Sequence, residues 1–209
     1  MILTPQQRTK LDSRRDDLFY ATARFVTHVD GFFLARLTEL YRQYLRPQMR
    51  VLDLMSSWVS HLPPELSFQE VVGHGMNATE LARNPRLDRY FVQNLNKELA
   101  LPLEDASFDA VLMAVSVQYL QYPEATFTEI ARILKPQGVV IVSFSNRMFF
   151  EKAIQAWREG SEGDRLQLVQ TYINSIPSLK VIETHLPRPW SWLGLTDPFY
   201  AVVGQKQAA

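Results

Sequence analysis

The chain contains no cysteine. That excludes disulfides, thiolate nucleophiles and thiolate zinc sites, and it fits a reducing compartment, so the expected location is the cytoplasm. An excess of one charge is also missing. Lys and Arg number 22 and so do Asp and Glu, which leaves no net field to draw the protein to nucleic acid. No apolar run reaches the roughly 18 residues of a membrane-spanning helix, although these features leave open a peripheral contact with a membrane surface. The opening residues, MILTPQQRTKLDSRRDD, hold no apolar stretch of signal length. Hydrolase and metallopeptidase signatures are lacking, since there is no Gly-x-Ser-x-Gly and no His-Glu-x-x-His. The histidines His28, His61, His74 and His185 have no metal-ligand spacing, and no metal is expected.

With 209 residues, 46% of them hydrophobic, the chain is long enough for one domain with a full core and short for two. Residues 1–49 read as a helical cap on that domain. Thr4-Pro5-Gln6-Gln7 has a cap residue, a proline at the first helical position and a glutamine at the third. Asp30 can cap a second helix, in which Phe33, Leu34, Leu37, Tyr41 and Leu45 recur at helical spacing.

Past Pro47 short apolar runs alternate with helical segments. The runs are VLDL at 51–54, EVVG at 70–73, YFVQ at 90–93, FDAVLMAV at 108–115 and VVIVSF at 139–144. NATELARN opens with a reciprocal cap between Asn77 and Glu80, and PEATFTEIARIL buries Phe127, Ile130 and Leu134 on one face. Lys135-Pro136-Gln137-Gly138 stops that helix and turns the chain into the next strand. A helix is expected from about Phe149 to Tyr172, loosened near Gly160 and Gly163, before two late strands at 179–185 and 199–204. This βαβ alternation predicts an α/β, Rossmann-like fold whose mostly parallel sheet is covered on both faces.

In such a sheet ligands sit beyond the C-terminal ends of the strands. VLDLMSSWVSHLP therefore enters the crevice with Asp53 at its mouth, and Asp53 either ties down the next turn or binds a cationic group of a ligand. Met55, Ser56, Ser57, Trp58 and Val59 stand where nucleotide-binding turns carry glycines that admit positive φ. Their presence argues against a diphosphate cradle. A ligand without phosphate can instead be held by serine hydroxyls, unless Ser56 and Ser57 are plain caps. The second strand runs into Gly73-His74-Gly75-Met76-Asn77, which has no acid for a ribose. Met76 can pack on a flat base, and Asn77 caps a helix or donates to a ribose. The amides of Gln93-Asn94-Leu95-Asn96 either read an adenine edge or form a turn. Val115 and Ser116 would floor the site, with Tyr119 near the reacting group.

The run LPLEDASFDAVLMAVSVQYLQYPEATFTEIARILKPQGVVIVSFSNRMF, with VLDL before it, resembles the class I S-adenosylmethionine-dependent methyltransferases of the small-molecule type. The resemblance extends from about Arg50 to Val203 and implies a doubly wound seven-stranded sheet in order 3-2-1-4-5-7-6, strand seven antiparallel. It implies S-adenosyl-L-methionine as cofactor, with Asp53, Leu54, Met55, Ser56 and Ser57 at its methionine part and Val115 and Ser116 beneath that part. Gly75, Met76 and Asn77 would face ribose and adenine, and Asn94 and Leu95 the adenine edge. The chain departs from the family at the first-motif glycines, at Gly75 in place of the ribose acid and at Asn94 in place of an aspartate. The implied reaction is in-line methyl transfer to a small, partly apolar acceptor. His28, His61 and Tyr119 are the catalytic candidates, and Tyr20, Arg24, Asp30 and Trp58 the substrate-binding ones. Arg24 and His28 are spaced to share a helix face. Trp190-Ser191-Trp192-Leu193 suggests an apolar acceptor, a lid, a core plug or a membrane-surface contact. The alternative is a non-catalytic protein of this fold that binds a metabolite or protein partner. An NAD-linked oxidoreductase is the poorer reading, for want of phosphate-binding glycines and a ribose acid.

Overall fold

A computed structural model describes residues 2–187 and 195–208, so the Trp190–Leu193 run lies outside the described residues. Seven strands form one sheet: β1 Arg50–Asp53, β2 Glu70–Gly75, β3 Arg89–Val92, β4 Phe108–Ala114, β5 Leu134–Phe144, β6 Leu179–His185 and β7 Tyr200–Lys206. Their order is β3-β2-β1-β4-β5-β7-β6. All pairs are parallel except those of β7 with β5 and β6. This is the expected topology, and it brings the C-terminal ends of β1, β2, β3 and β4 together at one edge.

Alternation along the strands divides the core into two faces. Val51, Ala110, Leu112, Ile141 and Val203 pack under one helix, while Leu52, Leu54, Val111, Val140 and Val142 face the other side. The first face is covered by α2 (Gly31–Tyr44), which follows the short α1 (Asp16–Phe19). The Asp30 carboxylate accepts the Phe33 N–H at 2.8 Å and starts α2, which turns Phe33, Leu37, Leu40 and Tyr41 inward. The other face is covered by α4 (Pro123–Ile133) and α6 (Glu162–Asn174). Proline opens α4, and a Ser161–Asp164 capping box opens α6. In the chain α5 (Gln155–Glu159) lies between them, and the five-residue α3 (Ala78–Ala82) precedes both.

Several local expectations change. Thr4 and Gln7 do exchange their capping hydrogen bonds, yet residues 5–8 make only a turn. Residues 20–30 hold no helix, so Arg24 and His28 do not share a helix face. The cap before α2 is instead fixed by contacts distant in sequence. Arg8 pairs with Glu124, and the fully buried Lys152 ammonium sits 3.3 Å from Asp12 and 3.2 Å from Asp16. The helix expected over 149–172 is two, broken at Gly160, where a Cβ would lie 2.8 Å from the Ala156 carbonyl. Gly163 lies inside α6. Lys135-Pro136-Gln137-Gly138 does turn the chain, but as a bulge within β5: Phe108 pairs with Leu134 and Ala110 with Val139. Leu134, expected on the buried face of the preceding helix, is the first residue of β5.

Phe33 is fully buried on the α2 face, in edge contact with Phe199. Phe33→Ala is expected to cost about 3–5 kcal/mol, read as a lowered urea midpoint at unchanged slope. A midpoint within error of the parent would mean that α2 does not anchor this face.

Candidate functional site

The turn after β1 reaches the crevice in a conformation its residue types do not favour. Met55 has φ 58°, the left-handed region, which costs a non-glycine residue about 1–2 kcal/mol. The expectation that this turn could not readily supply positive φ is therefore corrected: the glycine conformation is kept without the glycine. In the turn after β4, the β-branched Val115 likewise has φ 50°.

His74 holds the first turn in place. The Met55 N–H donates to His74 Nδ1 at 3.1 Å and the Ser56 N–H to the His74 carbonyl at 2.6 Å. Because Nδ1 accepts, Nε2 carries the ring hydrogen and donates to the Gln93 carbonyl at 3.0 Å. Burial pushes the imidazole down to about 4, so it is neutral in this role. One side chain thus joins the tips of β1, β2 and β3.

The same packing explains why the β2 tip carries no acid. A Cβ on Gly75 would lie 2.6 Å from the Ser56 carbonyl oxygen, so the turn's own backbone fills the space an acidic side chain would need. The Asp53 carboxylate is buried beneath the turn and accepts from Ser56 Oγ at 2.6 Å and from Ser60 Oγ. Desolvation outweighs those two bonds and raises its pKa to about 6. Asp53 therefore ties the turn down, and it also lines the cavity.

Asn77 caps α3, its Oδ1 accepting from Thr79 N and Glu80 N, but the box is not reciprocal. The Glu80 carboxylate turns away from Asn77, accepting from Ser57 Oγ at 2.5 Å and from Arg24 N at 2.7 Å. The other polar groups at the strand tips hold the N-terminal segment. Asn77 Nδ2 donates to the carbonyls of Tyr20 and Ala21, Asn94 Nδ2 to Asp17 at 3.0 Å, and Trp58 Nε1 to the Val26 carbonyl at 3.1 Å.

These elements enclose a cavity of about 180 Å³. Of the residues expected at the cofactor, Asp53, Met55, Ser56, Ser57, Gly75, Met76, Asn77, Asn94, Leu95, Val115 and Ser116 line it. Tyr20, Arg24, His28, Trp58, His61 and Tyr119 line it as well. Two expected residues do not. Leu54 is fully buried in the core because its position in the strand alternation turns it from the crevice. Asp30 has one oxygen on the Phe33 N–H and the other on the Asp197 N–H at 2.7 Å, which makes it a helix cap and a loop tie.

Phe149, which sequence reasoning passed over, organises the aromatic end of the cavity. Its ring lies edge-on to His28 at 5.1 Å and stacks with Tyr119 at 6.0 Å. The Arg24 guanidinium sits 5.4 Å from the same ring. The Tyr119 hydroxyl accepts the Phe149 N–H at 2.8 Å, and burial raises the phenol to about 12. Burial lowers the pKa of both His28 and His61, with Glu80 opposing the shift at His28. Ser116 Oγ is buried at the cavity with no hydrogen-bond partner. His74, Glu80 and Phe149 were all visible in the sequence, but only tertiary partners distinguish them from a turn residue, a cap and an ordinary apolar side chain. Among the described residues no cluster of His, Asp or Glu could hold a metal ion.

Residues 65–142 match the family model described as a methyltransferase domain, a match that starts just after the glycine-poor turn. Solved structures with this fold include a TehB-like SAM-dependent methyltransferase from Corynebacterium glutamicum, at 18% identity and TM-score 0.54 over 85% of this chain and 89% of that one. A second is an S-adenosylmethionine dependent methyltransferase from Mesorhizobium loti, at 14% identity and TM-score 0.55 over 80% of this chain and 96% of that one. A third is the [4+2]-cyclase SpnF, at 14% identity and TM-score 0.59 over 83% and 81%. No curated protein matches by sequence.

Two outcomes test this geometry. Gly75→Asp, which would restore an acid at the β2 tip, is expected to destabilise the protein by roughly 1–3 kcal/mol through overpacking against Ser56. A thermal midpoint equal to the parent's would refute the contact. In acid, Asp53 and His74 oppose each other. Asp53 titrates at about 6 in the folded protein against an ordinary 3.8, so its contribution to stability rises as pH falls through that window. His74 titrates at about 4 against an ordinary 6.5, so its contribution is lost as pH falls. Asp53→Asn removes the first effect and leaves the second. Its unfolding free energy should drop more steeply than the parent's between about pH 7 and pH 5, and parallel profiles would contradict the assignment.

Proposed function

We propose that this chain, built on the class I methyltransferase fold, binds S-adenosyl-L-methionine at the tips of β1 to β4 and transfers its methyl group to a small, partly apolar acceptor. The observation that carries the reading is Met55. Backbone strain persists where the surroundings over-determine it, and such sites gather at functional centres. Here the strain sits in the motif where the family's glycines stand. Ser116 Oγ fits the same ligand: a buried hydroxyl without a partner costs about 1–3 kcal/mol, a penalty that a polar ligand atom relieves.

When bound, the cofactor supplies an electrophilic methyl group on a sulfonium. In this reading Asp53 and Ser116 hold its amino-acid end, where a nearby ammonium favours the ionised carboxylate. Met76 packs on the base, and Asn77, Asn94 and Leu95 border it. Ser56 and Ser57 keep the turn closed over the site. Tyr20, Arg24, Trp58 and Phe149 shape the acceptor chamber, and their aromatic faces suit a flat, partly apolar molecule. His28 and His61, neutral at pH 7 because of burial, are competent to accept a proton from that molecule. Tyr119 stays protonated and positions rather than abstracts. The balanced charge and the absence of cysteine suit a cytoplasmic protein without a nucleic-acid partner.

A second reading is a metabolite- or partner-binding protein without transfer activity. It is favoured by the hydrogen bonds that engage Asn77, Glu80, Asn94 and Trp58 with the chain's own N-terminal segment. A fold also found in a protein named as a cyclase does not dictate methyl transfer.

Titration calorimetry with S-adenosylhomocysteine separates the two. Saturable micromolar binding, weakened at least about tenfold by Asp53→Ala, is the expected result. No saturation at millimolar ligand would sink the methyltransferase reading.

A further inference from the structure

We infer that Glu80, on α3, takes the place of the absent β2-tip acid and holds the two ribose hydroxyls of the cofactor. The inference rests on the cofactor reading above. Three observations lead to it. First, the β2 tip cannot carry an acid, because the Ser56 carbonyl lies where the Cβ of residue 75 would be, at 2.6 Å. Second, Glu80 does not complete the capping box that its spacing from Asn77 allows. Its carboxylate turns to the first-motif turn and lines the cavity. Third, the acceptor arithmetic leaves room for a ligand with two donors. A carboxylate offers about four lone-pair sites. One of them on Oε1 is used by the Arg24 N–H and one on Oε2 by Ser57 Oγ. One site remains on each oxygen, the arrangement that two hydroxyls on adjacent carbons of a ring fill.

The same carboxylate holds the N-terminal segment through Arg24, so the ribose and the segment share one anchor. Segment closure and diol binding are thereby coupled, which the β2-tip acid of the family pattern would not do. A purely structural Glu80 would fasten the segment and be indifferent to the sugar.

The test uses the full chain, with Glu80→Gln as the main variant. A glutamine keeps an oxygen for the Arg24 N–H, so the segment contact survives, while the charge and one acceptor are lost. Calorimetry is run with S-adenosylhomocysteine and with its 2′,3′-dideoxy analogue. The parent should bind the first at least about tenfold tighter, in line with hydrogen bonds to a charged group. Glu80→Gln should bind both with the parent's affinity for the dideoxy analogue. Glu65→Gln, at an exposed carboxylate that pairs with Arg42 away from the cavity, should keep the parent's discrimination and serves as the folded control. If Glu80→Gln still discriminates, or the parent never did, the inference is overturned while the cofactor reading stands. If Glu80→Gln fails to fold, Glu80→Asp, with its carboxylate one carbon short, decides: retained discrimination overturns the inference and its loss supports it. Absence of parent binding to S-adenosylhomocysteine overturns both.

Discussion

Two backbone N–H groups of the turn after β1 donate to one buried histidine, and the shape of the crevice follows from that pairing. His74 accepts from Met55 on its ring and from Ser56 on its carbonyl. Each such bond is worth about 1 kcal/mol net, enough together to offset the cost of a left-handed methionine. The ring can accept only while neutral, and burial keeps it neutral. With the turn drawn onto β2, the Ser56 carbonyl closes on Gly75 and no side chain fits there. The two departures from the family pattern, a turn without glycine and a β2 tip without acid, are one packing decision.

That decision also sets what surrounds the cavity. Polar groups at the strand tips would face water if the crevice were open. Instead Asn77, Glu80, Asn94 and Trp58 bind the N-terminal segment, which is fastened further along by Arg8 and by the buried Lys152. A buried lysine is tolerated here because two carboxylates and two backbone carbonyls surround it. The chamber behind the segment holds an aromatic cluster with Phe149 at its centre, in ring contact with Phe19, His28 and Tyr119.

Much of the sheet was legible in the sequence because its signals are local and periodic. The apolar runs of β1, β4 and β5, the Asp30 cap and the Lys135–Gly138 turn each carry their own reason within a few residues. Boundaries slipped where the strand outlasts its apolar run: β2 continues through His74 to Gly75. The N-terminal cap holds the helices α1 and α2 as expected, but residues 5–8 and 20–30 are not helical, and the segment is held by partners more than a hundred positions away, as with Arg8 and Glu124. Glu80 illustrates the site itself. Its spacing from Asn77 fits a capping box, and only the folded chain brings Ser57, 23 positions away, to its carboxylate. Met55 shows the converse error, since residue type suggested a conformation that tertiary hydrogen bonds override.

A cofactor at the altered turn would lie against Met55 and Met76, and isotope-filtered NMR on protein labelled with 13C-methyl methionine observes that directly. With S-adenosylhomocysteine bound, cross-peaks are expected from the adenine protons to the Met76 methyl group and from the homocysteine protons to that of Met55. Both side chains line the cavity. Bound ligand that gives cross-peaks to neither methyl group would place it elsewhere and contradict the account.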